Sequence, residues 1–249
     1  MAPLLKSTLL RGDGTALPVE EVIAVGSNSF IIRHTKESVL KIARKESAEN
    51  DNSIFKRLRG LPRIAEFHGF HQGGISLRFY PAGSLDKHVE TLCAPPLQVR
   101  LRWMAEVMYI VRTCHNARVL LFDIALRNLV IDKKGSLRPL RPLRAIDFAQ
   151  GSVIAADANI AEADGRGLTT KVDIFHMGCV LYLLSKWTRF ETDRDNEQNW
   201  PVLEHLPDTK IIPWAPVIRA CWTGKFRRVD DLIRLTRSSQ ARKRLGMAQ

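Results

Sequence analysis

Polar and apolar positions alternate over short stretches in the first third of the chain, and recur at helical spacing beyond it. In "EVIAVGSNSFIIRH" (Glu21 to His34) and "SVLKIAR" (Ser38 to Arg44), β-branched and aromatic residues flank polar turns, which predicts strands. "SAENDNSIFKRL" (Ser47 to Leu58) sets Asp51, Ile54, Phe55 and Leu58 at helical spacing. "RIAEFHGF" and "GISLRFY" then read as a hairpin turning at Gln72-Gly73-Gly74. From about Leu85 the period changes. "PLQVRLRWMAEVMYIVRTCHNA" (Pro96 to Ala117) carries Val99, Trp103, Val107, Ile110, Val111 and Cys114 on one stripe of a helix. "TTKVDIFHMGCVLYLLSKW" (Thr169 to Trp187) is apolar nearly all round, the pattern of a buried central helix. "APVIRACW" and "VDDLIRLTRSS" complete the helical part. Strands first and helices afterwards predict an α+β fold with two lobes and a cleft between them.

One polar knot interrupts this pattern. "LLFDIALRNLVID" (Leu120 to Asp132) would read as buried apolar structure but for Asp123, Arg127 and Asn128. An unpaired carboxylate there would be costly to bury, so the knot either meets solvent or does chemistry. Just beyond it, "RAIDFAQ" reads as an apolar strand ending in Asp147-Phe148-Ala149. Upstream, "VLKIAR" puts Lys41 on a strand after a Gly-Ser turn.

Composition narrows the classes. With 249 residues, 45% apolar and 26% charged, the chain can bury a large core and has the balance of a globular protein. No apolar run approaches the roughly eighteen residues of a membrane span, so no membrane partner is expected. "MAPLLKSTLLRGDG" lacks a signal-peptide core and reads as an ordinary N-terminal extension. Four cysteines without a C-x-x-C pair fit a reducing compartment, cytoplasmic or nuclear, and no H-E-x-x-H spacing occurs among the seven histidines. The net charge of +12 gathers in "KKGSLRPLRPLR" (Lys133 to Arg144) and in the tail from Lys225 to Arg244. It suits a polyanionic partner, but no aromatics interleave with it, so nucleic acid is not favoured.

A lysine, an aspartate with its asparagine, and a second aspartate, in that order, resemble the protein kinase superfamily, and within it the short kinase-like proteins common in fungi. The resemblance spans roughly Glu20 to Leu235. It implies a single bilobal kinase-like domain over residues 1–249, with a β-rich N-lobe at about 18–80, a hinge at about 78–83 and an α-helical C-lobe at about 84–240. It further implies ATP and Mg²⁺ as cofactors, a protein substrate of unspecified identity and a monomeric chain. Lys41 would hold the nucleotide's phosphates, and Gly26, Ser27 and Asn28 would form the turn over them. Val39, Leu77, Arg78, Tyr80 and Val130 would line the nucleotide site, with Leu77 as gatekeeper. "LFDIALRN" is similar to the D-x-A-x-R-N catalytic loop of tyrosine kinases. Asp123 would accept the substrate hydroxyl's proton, Arg127 would stand near the γ-phosphate, and Asn128 would hold Mg²⁺. "IDFA" resembles D-F-G, making Asp147 the main metal ligand, and "DIFHMG" implies that Asp173 bonds the catalytic-loop backbone. Phe55, Phe67, Leu121 and Phe148 would stack as an apolar column.

The chain also departs from the kinase pattern. The phosphate-covering turn has one glycine, Gly26, where the family has three. Asp51 is the expected ion-pair partner of Lys41, because Phe55 then falls one turn later on the same face, with Glu49 as runner-up; an aspartate, one methylene short, predicts a looser pair. Phe122 replaces the arginine that would clasp a phosphorylated activation loop. "AEADGRG" only weakly matches A-P-E. Three readings follow: an ATP-dependent protein kinase, a nucleotide-binding pseudokinase or scaffold, and a small kinase or ATPase subunit of an RNA-modifying complex.

Overall fold

The structure is a computed structural model, and it describes residues 22–25, 29–43, 45–71, 74–132, 142–148, 150–161, 169–188 and 203–244. The strand-rich part is one antiparallel sheet of five strands: β1 (Val22–Val25), β2 (Ser29–Arg33), β3 (Ser38–Ala43), β4 (Phe67–His71) and β5 (Gly74–Arg78), in the order β1-β2-β3-β5-β4. The β4–β5 hairpin is as the alternation predicts, while Gln72 and Gly73 of its turn lie outside the described residues. The register pairs Val39 with Leu77 and Lys41 with Ile75. Directly opposed residues share a face, so Val39, Lys41, Ile75 and Leu77 all look toward the main core. Ile32 and Leu40 point the other way and form a small cluster with Val22, Phe30 and Ile42.

Helix α1 (Lys45–Leu58) crosses the inner face, with Ile54, Phe55 and Leu58 fully buried. It begins two residues before the stretch that the periodicity marks. The helical part follows as α2 (Leu85–Thr91), α3 (Leu97–Asn116), α4 (Thr170–Lys186), α5 (Ala215–Trp222) and α6 (Val229–Arg244). Helix α4 is buried on nearly every face, as its composition requires. Arg100 of α3 donates to the Leu184 and Ser185 carbonyls, and so satisfies the last turn of α4. A single core runs from Val39 in the sheet to Ile233 in α6. No described helix is long and apolar enough to cross a membrane.

Between α3 and α4 the chain forms short strands that carry the polar knot: β6 (Val119–Leu120), β7 (Leu129–Ile131), β8 (Leu143–Ala145) and β9 (Ser152–Val153). β7 pairs with β8, and β6 with β9. The strand expected to run through Phe148 ends at Ala145. Its neighbour β7 begins at Leu129, opposite Ala145, so the ladder stops where Asn128 enters a single 3-10 turn.

Candidate active site

Lys41 is the centre of the site. Its position on the inner face of β3 removes it from solvent, leaving the residue 1% exposed. Two carboxylates compensate: Nζ donates to Asp51 Oδ2 at 2.6 Å and to Asp147 Oδ1 at 2.7 Å. Asp51 is fully buried, and Asp147 is 28% exposed at the side chain. Burial by itself would push the Lys41 ammonium down, but the two carboxylates outweigh it and hold its pKa above the ordinary 10.5. The Asp51 carboxyl is pushed up by burial, with Lys41 pulling the other way. Three separate parts of the chain, β3, α1 and the segment after β8, therefore meet at one ammonium group.

Helical spacing explains why Asp51 and not Glu49 meets Lys41. Phe55, one turn after Asp51, stacks on Phe67 with centroids 5.4 Å apart and meets Phe148 edge-on at 5.0 Å. Leu121 is buried in the same core, and Glu49 is exposed. The shorter carboxylate does not loosen the pair, because the sheet and α1 pack closely enough for a 2.6 Å contact.

The polar knot is internally hydrogen-bonded. Arg127 donates to Asp123 Oδ1 at 2.6 Å, while Asn128 Nδ2 donates to Asp123 Oδ2 and to its backbone carbonyl, both at 2.9 Å. These donors fix the carboxylate's plane. The planar amide of Asn128 then sets Oδ1 on the side opposite its committed Nδ2, as an acceptor available to a cation. The Asn128 carbonyl accepts the Ile146 N–H at 3.0 Å, so Asn128 is one residue removed from Asp147 across the strand ends. Asn128 and Asp147 thus supply hard oxygen donors of the kind that suits Mg²⁺. Among the described residues no cluster of three or more His, Cys, Asp or Glu is arranged for a metal.

Asp173, near the start of α4, anchors this loop from beneath. It accepts the N–H groups of Leu121 at 2.8 Å and Phe122 at 2.6 Å, and lies 2.8 Å from His115 Nε2. Phe122 has φ +60° and is the middle of a three-residue turn in which Asp123 N–H meets the Leu121 carbonyl at 2.7 Å. Such a γ-turn is strained for a side chain with a Cβ, and the Asp173 bonds hold it in place. Leu77 and Val130 are buried, and Val130 bridges Ser84. Gly26, Ser27, Asn28 and Ala149 lie outside the described residues.

The sequence reading missed a second polar cluster behind the segment after β5. Asp132 is buried against Arg144 at 2.6 Å and Arg78 at 3.4 Å, and Tyr80 Oη accepts the Glu66 N–H at 3.0 Å. Arg78 therefore commits its side chain to tying β5 to the β7–β8 hairpin, and Tyr80 commits its hydroxyl to the backbone just before β4. The signal was the carboxylate of Asp132 closing an apolar run. Its partners, distant in sequence, could not be read from it. No protein-family model matches this chain, and no curated protein matches it either.

Proposed function

We propose that the protein is an ATP-dependent phosphotransferase with a bilobal protein kinase-like fold, transferring phosphate from Mg-ATP to a protein hydroxyl. The observation that carries this reading is Lys41 clasped by Asp51 and Asp147, with the Asp123–Arg127–Asn128 knot beside them. An ammonium has three N–H donors; two are spent on carboxylates, and the third is suited to phosphate oxygens. Asn128 and Asp147 would hold Mg²⁺, which supplies charge neutralisation for the triphosphate. Asp123, oriented by two donors, would receive the proton of the attacking hydroxyl, and Arg127, half-exposed, would stabilise charge on the transferred group. Val39, Leu77 and Val130 supply an apolar lining for an adenine ring.

Calorimetry and thermal shift with Mg-ATP test the reading. A ligand bound only by the native state raises the melting temperature by mass action, so a rise is expected, together with transfer of label from γ-phosphate. Binding without transfer would favour a nucleotide-binding scaffold. No binding at millimolar nucleotide would overturn the enzyme reading.

A further inference from the structure

A cavity of about 310 Å³ opens where the end of α3 and the N-termini of α4 and α6 come together. Its volume falls at the lower end of the roughly 300–1,000 Å³ of small-ligand pockets. It is lined by Arg112, His115, Thr170, Arg227, Arg228 and Asp230 among others, and shares no residue with the Lys41 cluster. Three arginines face one aspartate. Asp230 is shared between Arg112 at 2.9 Å and Arg228 at 3.9 Å, and Arg227 gives one donor to the Ala161 carbonyl at 2.8 Å. A guanidinium has five N–H donors, so most of the donor capacity in this wall is left for a ligand. His115 is engaged by Asp173.

A second observation points to an occupant. Thr170 is 2% exposed, and its Oγ1 is buried without a hydrogen-bond partner among the described residues. A buried hydroxyl left unpaired is costly, and native structures rarely tolerate one. It also stands in the first turn of the 17-residue α4, where the helix dipole favours negative charge.

We propose that this cavity binds a phosphate dianion, either free or as a small monoester. The arginine forks and the threonine hydroxyl offer more donors than the two oxygens of a carboxylate can take. A tetrahedral dianion matches both the donor number and the excess positive charge. This site is independent of the phosphoryl-transfer reading.

The test is a titration of the full chain with inorganic phosphate and with glycerol 3-phosphate at constant ionic strength, read by melting temperature and calorimetry. Both ligands should stabilise the protein beyond a sodium chloride control and beyond acetate. Tighter binding of the monoester would identify a small phosphorylated molecule as occupant, and equal binding would identify free phosphate. Arg228→Gln, at a side chain 72% exposed, should keep the fold and bind at least about tenfold more weakly, as loss of one charged hydrogen bond implies. Thr170→Val should also weaken binding, while its melting temperature without phosphate stays equal or rises. No response beyond the chloride control, an equal response to acetate, or an unchanged response in both variants would overturn the proposal.

Discussion

At Lys41, one ammonium is held by two carboxylates, and removing one of them should have two separable effects. Asp51→Asn takes away a charged hydrogen bond worth about 2 kcal/mol. That is less than the roughly 3–5 kcal/mol for a buried pair wholly broken, because Asp147 remains. Denaturant unfolding at neutral pH checks it. The same substitution removes one of the charges that raise the Lys41 pKa. A raised lysine stabilises the fold fully below its unfolded value of 10.5 and loses that contribution as pH climbs through the folded value. Alkaline unfolding of Asp51→Asn, followed by circular dichroism, should therefore begin at lower pH than in the unaltered protein; coincident curves would count against the clasp. Asp123 and Asp147 are separable in another way. Asp123→Asn should abolish transfer and leave nucleotide binding nearly intact, whereas Asp147→Asn should weaken metal-dependent binding. Equal loss of binding in both would show the roles to be misassigned.

At the scale of elements, packing between α4 and α5 overrides helix propensity. Gly178 lies mid-helix, where alanine would ordinarily gain about 1 kcal/mol. A Cβ built there comes within 2.5 Å of Cys221 Cβ and 3.1 Å of the Trp222 ring. Neither atom is the end of a flexible side chain, so Gly178→Ala should destabilise by about 1–3 kcal/mol. Chemical denaturation reads the sign directly, and a stabilised variant would mean that the helices separate easily. The same elements show what local pattern can convey. The α4 composition announced burial on all sides, and the Asp51–Phe55 spacing announced which carboxylate meets β3. The end of β8 was not legible. Ala145 and Ile146 continue the apolar character up to Asp147 without a break, and the ladder stops because its partner β7 begins at Leu129.

For the whole molecule, three thiols are buried and one is exposed. Cys114 and Cys221 have thiol pKa values pushed up strongly by burial, Cys179 is buried, and Cys93 is exposed. A thiol reagent should therefore label Cys93 alone in the native protein and all four cysteines after unfolding. Fast labelling of a second thiol would disprove the single continuous core. Turnover, if the proposed activity holds, should survive phosphatase treatment. Phe122 offers no donor to a phosphate, and Thr169 and Thr170 are buried at the α4 N-terminus, leaving Ser152 as the accessible hydroxyl among the described residues of that segment. A large fall in rate, restored by phosphate on Ser152, would refute this.

The sequence alone determined the mixed α+β class, the division into a strand-rich and a helical part, and the identity of the Lys41, Asp51 and Asp147 carriers. The class and the division follow from periodicity, which is local; the three carriers follow from the order of motifs that resembles the kinase pattern, with helical spacing choosing Asp51 over Glu49. Only the tertiary structure decided that Asp147 shares Lys41 with Asp51, that Asp173 pins a strained turn at Phe122, and that Arg78 and Arg144 neutralise Asp132. Those contacts join residues up to 106 positions apart. They exist because burying one charge forces the fold to bring another beside it, and no local pattern records which one arrives.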